Sequence, residues 1–209
     1  MTTVISGSSP SITFSDSTTQ ASAGLPLTGG TLTGTTTFTG GVANSYGFGV
    51  GTAVPSSGVG IAFPATQNPS SDANTLDDYE EGTWTPAIAF GGSSTGVTYQ
   101  AYSGARYTKI GNRVFLTGSI FLTSKGSQTG SATITGLPFA EGSGNPGKTS
   151  ISLDIDSISF SNQITGVVGA SSSSIFLGQV TNAGVRSDIT NTNFSNSSVI
   201  SFNTHYQIN

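Results

Sequence analysis

The chain has no cysteine and a single histidine, His205. The first absence excludes disulfides, thiolate metal sites and cysteine nucleophiles. The second removes every histidine-rich metal site that one copy could build, so neither a metal nor a cofactor is expected. Charged residues make up 8% and hydrophobic residues 34% of the sequence, against the usual ~25% and ~45–50%. A chain this poor in charge is not the highly charged type of disordered protein. No 18 apolar residues run together, so no membrane-spanning helix is expected. The opening Met-Thr-Thr-Val-Ile-Ser-Gly lacks a basic region and a long apolar stretch, and it is not expected to be a signal peptide. No segment shows helical periodicity.

What is present is glycine, serine and threonine, 29, 34 and 31 residues, or 94 of 209. With β-branched and aromatic residues between them, these point to short strands joined by many turns, an all-β chain. An α-rich enzyme is excluded. All six bases follow residue 105, whereas Asp16, Asp72, Asp77, Asp78, Glu80 and Glu81 precede it, so the two halves carry −6 and +2. Neither half has a basic cluster, and an acidic chain is a poor partner for phosphate backbones, so nucleic-acid binding is not expected.

Three segments differ in composition. In residues 1–45, Ile12 and Phe14 alternate with polar neighbours, and Leu25, Leu27, Leu32, Phe38 and Val42 are scattered among Gly and Thr. So few apolar groups cannot offset ~1–2 kcal/mol of backbone entropy per residue. Either this segment is disordered, or its apolar side chains meet those of identical chains around a shared axis. The abundance of Thr favours the second reading. Residues 46–82 form a Gly/Pro-punctuated connector that closes on the acidic run Asp77-Asp78-Tyr79-Glu80-Glu81. That run could hold a cation or supply paired carboxylates; solvated charge at a domain entry is the simpler reading.

Residues 83–209 hold 13 of the 19 aromatics, enough to seed a core. Strands are expected over 84–90, 97–102, 105–110, 113–123, 131–137, 149–160, 164–169, 174–180 and 199–208. Gly111-Asn112 is a two-residue hairpin turn between two of them. In 113–123, Val114, Leu116, Ile120 and Leu122 share one face while Phe115 and Phe121 lie on the other, which suggests packing on both sides. In the last strand Ile200, Phe202, Tyr206 and Ile208 face inward, and Ser201, Asn203, His205 and Gln207 face outward. Strands at this spacing make a β-sandwich, in a jelly-roll-like arrangement.

Several of these segments look familiar together. Leu-Pro-Leu-Thr-Gly-Gly-Thr-Leu-Thr-Gly (25–34) resembles the shaft repeat of bacteriophage tail fibres, and residues 7–20 resemble the short strand that often precedes it. Asp77-Asp78-Tyr79-Glu80-Glu81-Gly82-Thr83-Trp84-Thr85-Pro86 is similar to a signature that opens the C-terminal domain of many phage fibre proteins. Residues 107–114, 133–139 and 193–198 look like later segments of that domain. The resemblance implies a homotrimeric virion protein on the phage tail: a thin intertwined N-terminal shaft followed by a C-terminal β head that adheres to a host surface glycan. Residues 1–45 would then attach to another virion protein. The resemblance supplies no catalytic residues, and the chain is not expected to be an enzyme. A structural head fibre on the capsid is the alternative, and a glycan depolymerase is a second one.

Some signals point elsewhere. Residues 142–149, Gly-Ser-Gly-Asn-Pro-Gly-Lys-Thr, fit the phosphate-binding loop pattern, but the following residues alternate as a strand where that motif opens a helix, and Pro146 removes a cradling donor. Asp154 and Asp156 share one side of a strand. They could serve a depolymerase, yet no aromatic-lined cleft is evident nearby and a polar outer face is preferred. Trp84 suits a core or subunit contact better than a sugar platform. His205 reads as an exposed outward residue, although three copies on a threefold axis could bind a metal or anion. For ligand binding, the loops 140–148 and 181–188 are favoured, with Asn145, Lys148, Arg186 and Asp188 as the candidate residues.

Overall fold

The computed structural model describes residues 12–13, 19–20, 48–51, 53, 60–67, 69–72, 74–144 and 148–209. The chain divides into two compact units, Met1–Ser45 and Tyr46–Asn209. In the first, β1 (Ile12–Thr13) pairs antiparallel with β2 (Thr19–Gln20). The shaft expected over residues 25–42 lies outside the described residues.

The second unit begins with a parallel pair, β3 (Phe48–Gly49) and β4 (Ile61–Ala62). Eleven strands follow: β5 (Tyr79–Trp84), β6 (Ala87–Phe90), β7 (Val97–Tyr99), β8 (Gly104–Ile110), β9 (Arg113–Lys125), β10 (Ala132–Thr135), β11 (Thr149–Ile158), β12 (Gln163–Val168), β13 (Ser174–Val180), β14 (Arg186–Asp188) and β15 (Phe194–Gln207). Apart from one 3-10 turn, Asn191–Asn193, the described regular structure is β. The expected all-β class is what the chain adopts.

The eleven strands form one hydrogen-bonded path, β5-β8-β9-β15-β11-β12-β13-β10-β6, with β7 added to β9 and β14 to β13. β11 belongs to both halves of it: residues 149–151 pair with β12 and residues 152–158 with β15. The path bends there, and its two ends, β5 and β6, are joined by only Thr85 and Pro86. One buried cluster takes Trp84, Leu116, Ile120, Phe202 and Tyr206 from the first half and Ile88, Phe90, Ile134, Val168 and Ile175 from the second. The sheet is therefore curled over a single core. It shares the enclosed core of the expected sandwich, but its two halves are continuous.

Local chemistry explains where strands start and stop. The strand expected over 84–90 is cut at Pro86, which lacks a ladder donor and restricts the residue before it. Gly111 at φ 54 makes the hairpin turn, setting Ile110 opposite Arg113. β15 starts five residues earlier than expected. Its entry is held by Thr190 and Asn193, which form a capping box around the 3-10 turn. Opposite it, β11 carries a bulge between Asp156 and Ile158 with Ser157 at φ 57. The carbonyl of Ser157 accepts from the buried Ser198 hydroxyl at 2.7 Å and from the Ser195 hydroxyl at 3.2 Å. Those bonds fix a backbone conformation that a residue with a Cβ otherwise avoids.

Candidate functional site

Alternation along β5, β8, β9, β15 and β11 sends one set of side chains into the core and the other to the outer face. Register then aligns the outer set in rows. Thr83 stands opposite Arg106, Arg106 opposite Thr117, Thr117 opposite Asn203, and Asn203 opposite Ser152. In the next row Gly104, Ser119, Ser201 and Asp154 follow the same order. These rows are built of small residues, and they lie in a cleft of about 830 Å³ that Thr85, Tyr102 and Ser103 also line. That size is within the usual range for a small-ligand site, ~300–1,000 Å³.

Tyr102 forms one wall and is 67% exposed. Its ring and that of Phe121 make a T-shaped contact, centroids 4.6 Å apart at 69°. The turn that carries it is pinned as well: Gln100 donates its N–H to the Phe121 carbonyl at 2.9 Å, and the Phe121 N–H reaches the Ser103 hydroxyl at 3.0 Å. An aromatic ring on a hydrogen-bonded turn thus stands at the solvent boundary, with apolar surface to offer a ligand.

The polar groups of the cleft are largely uncommitted. Ser119 and Ser201 share a hydrogen bond at 3.0 Å. Among the described residues, Arg106, Thr117, Asn203, Ser152 and Asp154 have no side-chain partner within the chain. Asp154 is exceptional. Every other described carboxylate accepts from this chain: Asp72 from Asn74, Asp77 from Ser70, Asp78 from Lys109, Glu80 from Tyr107, Glu81 from Tyr79, Glu141 from Thr149, Asp156 from Ser157, and Asp188 from Arg186. The cleft holds the remaining acid, with acceptor capacity to offer a ligand.

The residues favoured from the sequence are placed apart. Asn145 lies outside the described residues. Lys148 is exposed immediately before β11. Arg186 and Asp188 pair with each other at 2.8 Å on β14, and Arg186 also donates to the Phe176 carbonyl at 3.2 Å. Lys148 adjoins the β12–β13 end where Val168 meets Ile175, whereas Arg186 sits where Val180 meets Gln163. Five residues of strand, roughly 17 Å, separate those ends.

The other candidates resolve singly. Trp84 is buried with its ring 6.0 Å from that of Phe202 and serves the core. His205 is exposed beside Phe115, ring centroids 5.8 Å apart. The acids from Asp77 to Glu81 do not converge, and no group of three or more potential metal ligands occurs among the described residues. Asp77 accepts the Ser70 N–H, which above all holds its carboxyl below the usual range. The phosphate-loop look-alike leads into β11, a strand. Asp154, by contrast, does face a cleft with an aromatic wall, contrary to the sequence reading; Asp156 lies outside that lining. Tyr102, Arg106 and Asn203 were missed as site residues, because the cleft draws on five segments far apart in the chain.

No family model and no curated protein matches this sequence. Among solved structures, the fold is similar to the crystal structure of Dettilon tailspike protein (gp208), with a TM-score of 0.54 and 15% identity. The match covers 73% of this chain and 27% of that one, so this chain spans about a quarter of the tailspike's length. The likeness corrects one expectation. The expectation of a non-enzyme does not stand beside a fold shared with a tailspike protein, and it is withdrawn.

Proposed function

We propose that this chain is a bacteriophage tail protein that binds a host surface glycan in the cleft of the β5-β8-β9-β15-β11 face. The observation that carries the reading is the pairing of an exposed Tyr102 with two rows of hydroxyl, amide and carboxylate groups, most of them unpartnered. A sugar presents hydroxyls and an apolar C–H face, and the cleft offers complements to both. The resemblance of the sequence to tail fibres and the fold shared with a tailspike protein support a place on the tail. Residues 1–45 would dock to another virion protein, and three copies would act together. Multivalency would raise a weak single-site affinity by ~10²–10⁴.

Fluorescently labelled full-length protein, titrated onto a panel of bacterial strains and competed with their purified surface polysaccharides, tests this. Binding to particular strains should be displaced by the matching polysaccharide. Tyr102→Ala should weaken it at least tenfold, a loss of about 1.4 kcal/mol. Binding that survives both the competitor and the substitution would show that the cleft is not the receptor site.

A further inference from the structure

We infer that the cleft selects an anionic glycan and that Arg106 seats its acidic group; this deepens, and rests on, the glycan-binding reading above. Arg106 and Asp154 are the two charged residues of the cleft lining. Arg106 is exposed, and its cross-strand neighbours are Thr83 and Thr117, hydroxyls that leave its charge uncompensated. Acids are not scarce: the sequence has 10 against 6 bases. Of the other five bases, three are satisfied by the chain, Lys109 by Asp78, Arg186 by Asp188 and Lys125 by the Asn191 carbonyl, and the remaining two, Arg113 and Lys148, lie outside the cleft lining. Glu81, one row along the same face, takes its hydrogen bond from Tyr79. Asp154 lies three strand spacings away, roughly 14 Å, too far for a direct pair.

A guanidinium is a planar fork that matches a carboxylate or phosphate through two parallel hydrogen bonds. Left unpaired beside an aromatic wall, it favours a sugar carrying one such group. Asp154 sets the opposite condition. It accepts hydroxyl donors and repels a second anion, so the ligand must place its acid at the β8 end and neutral hydroxyls at the β11 end. The two charges together fix the direction in which an acidic glycan lies across the strands.

The test measures dissociation constants of full-length protein for three probes: uronic-acid oligosaccharides, the same oligosaccharides with their carboxyl groups reduced, and a polyol-phosphate glycan. Wild type should bind at least one acidic probe about tenfold more tightly than the neutral one, with the preference shrinking as salt is raised. Arg106→Gln should erase the preference, bringing the affinity for the acidic probe down to that for the neutral one, and Arg106→Lys should restore part of it. Whichever acidic probe wins identifies the anion as carboxylate or phosphate. Equal binding of acidic and neutral probes, or a preference that survives Arg106→Gln, overturns the selectivity; the cleft itself still stands if Tyr102→Ala weakens every probe. Failure of Tyr102→Ala to weaken any probe, or no binding to any of them, overturns the cleft reading and the selectivity with it.

Discussion

At the scale of single residues, two tyrosines tie the fold to alkaline pH. Tyr206 is fully buried and donates its hydroxyl to the Phe139 carbonyl at 2.7 Å; burial, above all, pushes its phenol well above the ordinary range. Tyr107 lies across Gly82 on the neighbouring strand and donates to Glu80, a bond that, with desolvation, raises it from 10.0 to about 12. Both groups hold their proton more tightly folded than unfolded. Their contribution is therefore complete below pH 10.0 and, for Tyr107, is lost as pH climbs through about 12. Urea midpoints measured across that window should fall with pH, and Tyr107→Phe together with Tyr206→Phe should flatten the slope. The double variant should also be less stable at neutral pH, by about 1–3 kcal/mol for two lost hydrogen bonds. A pH slope unchanged by the two substitutions would place the titrating groups elsewhere. Close packing acts at the same scale: a Cβ on Gly118 would stand 2.5 Å from the Phe202 ring, which explains why a core-facing position of β9 has no side chain.

At the scale of elements, the start of β5 is fixed by a buried ion pair. Asp78 and Lys109 are each 5% exposed and hydrogen-bonded to one another. Lys109 also donates to Gln67 at 3.3 Å and lies 5.3 Å from the Phe139 ring centroid. Removing one partner leaves an uncompensated buried charge, so Asp78→Ala should cost about 3–5 kcal/mol by denaturant unfolding, while Asp78→Leu with Lys109→Met should recover most of it. A small loss for Asp78→Ala would mean that water reaches Lys109. This pair also marks how far the sequence could be read. Alternation in 199–208 and the Gly111 turn are legible in the sequence, because each depends on neighbouring residues alone. The acidic run at 77–81 read as solvated charge, yet its acids find partners as distant as Lys109 and Tyr107. β14 is not legible because three residues carry no period, so Arg186 and Asp188 read as loop groups in the sequence. The cleft was invisible for a related reason: Tyr102, Arg106, Asn203 and Asp154 become neighbours only once the order β8-β9-β15-β11 is known.

At the scale of the whole molecule, the outer face that holds the cleft continues into rows that carry three large exposed apolar side chains among polar and charged ones. Tyr79 stands opposite Ile110, and in the adjoining row Thr108 stands opposite Phe115 and Phe115 opposite His205. Tyr79, Ile110 and Phe115 are 40%, 41% and 45% exposed, on a sheet face otherwise rich in Ser and Thr. Burying them against further copies would gain about 25 cal/mol per Å² of apolar surface, and it would set each cleft beside a subunit boundary. The proposed trimer makes this checkable. The full-length protein should sediment at three times its 21.0 kDa chain mass at micromolar concentration. Phe115→Asp should lower that mass or make it concentration-dependent, because a charge placed in an apolar contact opposes association. A trimer indifferent to Phe115→Asp would assign the contact to another face. A monodisperse folded monomer would remove the multivalent mechanism, leaving a single cleft to hold its glycan by its own affinity.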